Sequence, residues 1–351
     1  MKTVYALLLP MLLASSAAAH LSASPGVGFN PAEGQTRPAV PALTDIKPGS
    51  ITCEECPYPF PSSYLPLTLY GQDVRMAYMD VAPQGTANGH TVMIFHGHNF
   101  AGFYFGNIID ALRAEGFRVI VVDQIGYGRS SKPLIQYTLS DMARNSNAIL
   151  ESLKIDRVMV VGHSMGGMLA ARFASLYPKV TERVVIYNPI GLIDTRHGRS
   201  PGNVDAQYKN ALGATYQSVK AGLMRYVAHD PAKWNDEFEK YARIRYAWTL
   251  GAEWPRLAMV QTLTGSLISG DPVVYDWAHI QAPTLAFGGA EDVLPGTAKL
   301  FQDRMKVLAD TVPQGNGTLH LIPGLGHVPH LEDAAKTIPP LVAFLKAGVR
   351  K

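Results

Sequence analysis

Gly162-His163-Ser164-Met165-Gly166-Gly167 stands between a β-branched run, Arg157–Val161, and a stretch with helical apolar spacing that begins at Met165. A serine on so tight a strand-to-helix turn must take a strained backbone, and glycines at 162 and 166 keep side chains out of the crowding that results. Its hydroxyl then projects above the sheet as a candidate nucleophile. The helix that starts immediately behind it aims free N–H groups and the positive end of its dipole at the same spot, where developing negative charge would be stabilised. The G-x-S-x-G spacing is common by chance; the strand before it and the helix after it give it meaning.

Short β-branched runs alternate with helical periods on both sides of this turn: strand Thr91–Phe95, helix 102–116, strand Arg118–Val122, helix Ser140–Leu153, then helix Met165–Leu176 and strand Arg183–Tyr187. That order predicts right-handed crossovers and an α/β fold, a mostly parallel twisted sheet covered by helices on both faces. Thr138-Leu139-Ser140-Asp141 has the spacing of a capping box at the start of the second helix. Upstream, Leu67–Tyr70 and Val74–Val81 alternate as an antiparallel hairpin does, with Gly71-Gln72-Asp73 as its expected turn. After Gly191 the strand rhythm stops, and three helical stretches are expected near Val204–His229, Pro231–Leu250 and Glu253–Ser266. Residues 191–281 therefore read as a helical cap inserted after the sixth core strand. All four tryptophans, Trp234, Trp248, Trp254 and Trp277, lie in it; packing claims most such rings, and the remainder are candidates to line a site. Strand Pro283–Phe287, helix 298–308, strand Thr318–Ile322 and helix 334–347 complete a core of residues 63–190 and 282–351.

From about Leu65 to Lys351 the chain resembles the serine-type α/β-hydrolases, and four further stretches carry the resemblance in the right order. Phe95-His96-Gly97-His98-Asn99-Phe100 is similar to that family's His-Gly-x loop, which implies oxyanion-hole N–H groups from His98 and Met165. Asp123-Gln124-Ile125-Gly126-Tyr127-Gly128-Arg129-Ser130 is similar to its D-x-x-G-x-G-x-S turn, with a structural role. Gly289-Ala290-Glu291-Asp292 falls where the family places its acid, and the spacing selects Asp292 over Glu291. Gly326-His327-Val328-Pro329-His330-Leu331-Glu332 matches the family's G-H-x-P-H-L-E ending, which implies a catalytic His327 and a packing role for His330. Elementary chemistry asks for the same set. A serine hydroxyl needs a base titrating near neutrality, which imidazole at about 6.5 supplies, and a carboxylate to fix its tautomer. His163, beside the serine, is expected to orient or pack.

Ser164 stands where haloalkane dehalogenases and epoxide hydrolases of this fold carry Asp, which argues against both activities. No H-E-x-x-H, dinucleotide-binding or P-loop pattern is present, so neither metal nor cofactor is expected. The expected function is hydrolysis of a carboxylic ester or lactone through an acyl-enzyme, on a small, largely apolar substrate. Two other activities fit the same triad: C–C bond hydrolysis of diketone-like ring-cleavage products, and cofactor-free haloperoxidase or perhydrolase chemistry. A non-catalytic ligand-binding receptor on this fold is the alternative from another class.

The 351 residues are 47% hydrophobic and 17% charged, an ordinary globular composition. With 31 basic and 28 acidic residues the formal charge is only +3, which argues against a nucleic-acid partner. Met1-Lys2-Thr3, the apolar Val4–Leu13 and Ala14–Ala19 have the three-part form of a secretory signal peptide, residues 1–19, so a secreted or periplasmic protein without stable membrane insertion is expected. Residues 20–62 are rich in Pro, Gly and Ser and read as an extended arm on the domain surface. Cys53 and Cys56 fall in this arm, and export would favour a short-loop disulfide between them.

Overall fold

The computed structural model describes residues 45–198 and 202–349. The expected signal peptide and residues 20–44 of the arm lie outside them. The chain enters the sheet through the hairpin β1 (Ser62–Leu69) and β2 (Gln72–Val81). Its turn is the two residues Tyr70 and Gly71, at φ 50° and 72°, and Leu69 pairs with Gln72. The expected turn at 71–73 is thus displaced by one residue. A two-residue loop with both φ positive matches the right-handed twist of the strands it joins, and Gln72 is freed to pair.

The core follows as β3 (Thr91–Phe95), α1 (Gly106–Ala114), β4 (Arg118–Val122), α2 (Leu139–Ser152), β5 (Val158–His163), α3 (Met165–Leu176) and β6 (Thr181–Tyr187). Every residue of β3 and β5 is buried, as their unbroken apolar runs require of strands covered on both faces. Thr138 caps α2 by accepting the Asp141 N–H at 3.0 Å. After the insertion come β7 (Thr284–Gly289), α4 (Ala298–Thr311), β8 (Gly317–Ile322), α5 (Pro329–Glu332) and α6 (Ala334–Lys346), with the helices of the insertion lettered αA to αD below. The eight strands form one sheet in the order β1-β2-β4-β3-β5-β6-β7-β8, antiparallel only at β1/β2 and β2/β4. From β3 the chain steps outward to β4 and then crosses back to β5 on the other side. Strand order reverses between β3 and β5, which opens a crevice beyond their carboxyl ends. The loops leaving these two strands carry His98 and Ser164.

Among the described residues between β6 and β7 lie four α-helices, αA (Val204–Leu212), αB (Tyr216–Met224), αC (Asp236–Thr249) and αD (Trp254–Gly270), where three stretches were expected. The extra break falls at Gly213, beyond which Thr215 opens a new helix: its side chain accepts the Ser218 N–H while Ser218 bonds back to the Thr215 backbone. A serine in place of the usual Glu or Gln at the third position hides this capping box from sequence inspection. Cys53 and Cys56 are joined in the expected disulfide, but this end of the arm does not lie on the surface, since the two are buried at 1% and 5% exposure. Three contacts draw this segment inward. Gly49 N–H meets the Ala247 carbonyl at 2.8 Å, Glu55 accepts the Trp248 indole N–H at 3.2 Å, and the Tyr58 hydroxyl binds Asp123. Asp123 in turn accepts the Gly102 and Arg129 N–H groups at 2.7 and 2.9 Å, so the D-x-x-G-x-G-x-S turn anchors the arm as well as itself.

On α3 the half-buried Arg172 clamps the end of the cap insertion, with Asp271 and Asp276 each at 3.0 Å. Removing the guanidinium leaves two partly buried carboxylates facing each other. Arg172→Met should lower the unfolding free energy by about 2–3 kcal/mol, read as a shift of the urea midpoint.

Candidate active site

Ser164 sits at φ 59°, ψ −119° between β5 and α3. That conformation is costly for any residue with a Cβ, and its surroundings enforce it. A Cβ on Gly162 would strike the Gly166 carbonyl oxygen, and one on Gly166 would strike the Phe95 carbonyl of the neighbouring strand. The Ser164 N–H is held by the Tyr187 carbonyl at 3.0 Å, and its own carbonyl accepts from Gly167 at 2.9 Å.

The structure brings Ser164, Asp292 and His327 together from three separate loops. His327 Nε2 lies 2.9 Å from Ser164 Oγ and its Nδ1 lies 2.6 Å from Asp292 Oδ2. Ser164 is 4% exposed, Asp292 1% and His327 0%. The carboxylate is held on both oxygens, Oδ1 accepting the Leu294 N–H and Oδ2 the Asn188 side-chain N–H, each at 2.9 Å. Nδ1 therefore carries the proton and Nε2 is free to accept one from the serine. Glu291 is half-buried and its carboxylate has no partner among the described residues.

Asn188 has no counterpart in the sequence reading. It is fully buried at φ 38°, its Oδ1 accepts the Gly289 N–H at 2.9 Å, and a Cβ on Gly288 would strike that oxygen. Asn tolerates positive φ better than most residues, and this one directly follows a core strand at its carboxyl end, which is the signal that could have singled it out.

The loop after β3 packs directly on the serine: a Cβ on Gly97 would lie 3.0 Å from Ser164 Cβ. Neither the His98 nor the Met165 N–H has an acceptor among the described residues. The Gly97 N–H donates to the Tyr104 hydroxyl at 3.0 Å, which donates to His163 Nδ1 at 2.7 Å; His163 Nε2–H then donates to the His327 carbonyl at 2.8 Å. His163 thus ties the loop after β3 to the loop carrying His327. In the same layer His330 joins the Tyr187 hydroxyl at 3.0 Å to the Tyr104 carbonyl at 3.1 Å. Burial pushes both imidazoles down, His330 to about 3 and His163 well below the usual range with the His327 and His330 charges adding to the effect. His96 is lowered by burial too, and His98 falls to about 3 through burial, then the charges of Arg245 and His96.

The insertion contributes Tyr226, one of the aromatic residues that the sequence places there as candidates to line a site. Its carbonyl accepts the His327 N–H at 2.7 Å, its ring lies 4.8 Å from the His327 ring, and its hydroxyl meets the Asn99 side chain. A cavity of about 390 Å³ opens over Ser164, with Ile190, Leu192, Ile193, Ile268 and Leu294 as its apolar wall and Tyr226 as its aromatic. None of the four tryptophans lines it. Trp277 is 2% exposed, and Trp248 and Trp254 are 8% exposed; they are packing residues. Among the described residues no three His, Cys, Asp or Glu side chains assemble as a metal site, and no helix is long and apolar enough to cross a membrane.

This sheet, with a serine-bearing turn at its carboxyl edge and a histidine and a carboxylate converging on it, defines a hydrolase of the α/β class. The chain belongs to the alpha/beta hydrolase family, whose sequence profile matches residues 92–339. It is similar to a probable hydrolytic enzyme from Pseudomonas aeruginosa PAO1, 34% identical with a TM-score of 0.78, the match covering 87% of this chain and 99% of that one. A thermophilic esterase from Thermogutta terrifontis shares the fold, at 19% identity and a TM-score of 0.66 over 82% of this chain and 100% of that one. A 2-hydroxy-6-oxononadienedioate/2-hydroxy-6-oxononatrienedioate hydrolase of Paraburkholderia phymatum is 34% identical over 131 residues, 36% of this chain and 43% of its own length.

The buried histidines set an acid limit. Unfolded histidine titrates near 6.5, so below that pH the unfolded chain binds protons that His96, His98, His163 and His330 refuse in the fold. Their contribution is complete above about 6.5 and is lost as pH falls toward 3. Glu332 opposes them: its carboxylate caps the Gly326 N–H at 2.9 Å and burial raises it to about 7, so it favours the fold as pH drops from there. With four groups against one, stability should decline from pH 7 to 5, by about 1.4 kcal/mol per pH unit for each unbalanced proton. Urea titrations at several pH values would show this, and His330→Gln should flatten the slope.

Proposed function

We propose that this protein is a secreted or periplasmic serine hydrolase that cleaves a carboxylic ester or lactone through an acyl-enzyme. The observation that carries the reading is the unbroken hydrogen-bonded line from Ser164 Oγ through His327 to Asp292, facing an apolar cavity. Ser164 Oγ attacks the substrate carbonyl as His327 Nε2 takes its proton, and Asp292 stabilises the imidazolium through Nδ1–H. Asn188 and the Leu294 N–H keep that carboxylate aimed. The oxyanion forms against the His98 and Met165 N–H groups at the amino end of α3. His327 returns the proton to the leaving alcohol, then activates the water that releases the acid and restores Ser164.

The matched stretch of the Paraburkholderia hydrolase favours one second reading, C–C bond hydrolysis of a ring-cleavage product, which would use the same three residues. An aryl-ester panel run beside a dienoate ring-cleavage product separates the two: efficient turnover of the dienoate alone would replace the ester assignment.

Ser164→Ala should lower kcat by about 10³-fold or more and abolish labelling by a fluorophosphonate probe mapped by mass spectrometry. Retention of a tenth of the wild-type kcat would remove Ser164 from the role. Asp292→Asn should cost about 10²- to 10⁴-fold through the wrong imidazole tautomer, whereas Glu291→Gln should stay near wild type. Export is read separately, by N-terminal sequencing of protein from an exporting host: the mature chain should begin at or near His20, and a chain still beginning at Met1 would count against it.

A further inference from the structure

The wall of the cavity over Ser164 holds one formally charged side chain, Arg225, and no carboxylate. Arg225 directly follows αB and precedes Tyr226, whose carbonyl holds the His327 backbone. Its Nη2 donates to the Leu294 carbonyl at 3.3 Å, and the N–H of the same Leu294 holds Asp292. The guanidinium is therefore hinged to the loop that carries the acid. It forms no ion pair among the described residues, and its remaining N–H donors are uncommitted. Of the carboxylates nearest in the chain, Asp194 is engaged by Arg196 and the Tyr275 hydroxyl, Asp230 by the Ala232 N–H and Asp292 by His327, and the unpartnered Glu291 makes no ion pair with Arg225. A second guanidinium without a carboxylate partner, Arg245, gives Nη1 to the Asn99 carbonyl at 2.8 Å behind the His98 loop. Arg225 thus stands in a cavity wall whose other residues are apolar or uncharged, with Arg245 behind the His98 loop. Arg225 is solvent-exposed in the free protein, so its charge costs little there and is free to meet an anion.

We infer that the substrate is an ester whose apolar body ends in a carboxylate, and that Arg225 pairs with that carboxylate while Ser164 meets the ester carbonyl. A carboxylate fits better than a phosphate. One planar guanidinium matches it in charge and by a two-pronged hydrogen bond, whereas a dianionic phosphate would leave oxygens facing Ile193 and Leu294. The volume of about 390 Å³ falls within the range of small-molecule sites. The specificity claim rests on the ester-hydrolase reading, but the Arg225 subsite can be tested without turnover.

The full chain is assayed with mono-4-nitrophenyl suberate and its neutral methyl ester. Wild type should favour the anion by about 10- to 100-fold in kcat/KM, the range expected of a hydrogen-bonded charge pair, and the preference should shrink as salt is raised. Arg225→Gln should bring the ratio to about one, and Arg225→Lys should recover part of it. In parallel, monomethyl suberate and dimethyl suberate are titrated calorimetrically into Ser164→Ala protein, with and without Arg225→Gln. The monoanion should bind more tightly, and only when Arg225 is present. Equal handling of the two esters by wild type, or a preference that survives Arg225→Gln, would overturn the subsite. Arg225-dependent binding of the monoanion with no ester turnover and no fluorophosphonate labelling would instead retain the subsite and reject the hydrolase reading.

Discussion

Three backbone segments meet at Ser164 in a space that admits no extra carbon atom: the end of β5, the first turn of α3 and the Phe95 carbonyl at the end of β3. Because Gly162 and Gly166 let these segments close, the serine is held in a left-handed conformation that its intrinsic preferences oppose. Everything else in the site is referred to that point. The sheet order puts β3 beside β5, so the His98 loop is the serine's immediate neighbour; β6 and β7 follow on the other side and deliver Asn188 and Asp292. The strain is affordable because β3 and β5 are buried throughout and cannot shift to relieve it.

Around this core one carboxylate stands among buried imidazoles. Asp292 is surrounded by donors, while His96, His163 and His330 have their ring nitrogens committed to hydroxyl, backbone N–H or carbonyl partners that suit the neutral form. These neutral imidazoles tie the loops together without adding charge of their own.

Much of the fold was legible because its strands are continuous apolar runs of the right length and its helices are strongly periodic. Ser164, Asp292 and His327 could be named because each lies in a loop with its own local pattern. Asn188 and Tyr104 could not be, since each acts through partners distant in the chain; His163 Nε2 and the His327 carbonyl are 164 residues apart. The same cause explains the tryptophans, whose concentration in the insertion reflects packing between helices. The misplaced hairpin turn and the missed break at Gly213 have a different origin. In each, an uncommon residue, Tyr70 or Ser218, holds a position where glycine or glutamate is the usual signal.

The hydrogen bond from the His327 N–H to the Tyr226 carbonyl makes the insertion something other than a hinged cover. A Cβ at Gly326 would strike that same carbonyl, so the two loops touch backbone to backbone with no side chain to cushion movement. If the segment around residue 226 swung away, His327 would travel with it, and the hydrogen-bonded line from Ser164 to Asp292 would break. Diversification of the insertion is constrained accordingly: the register at 226 is tied to the histidine loop it supports, so the two can change only together.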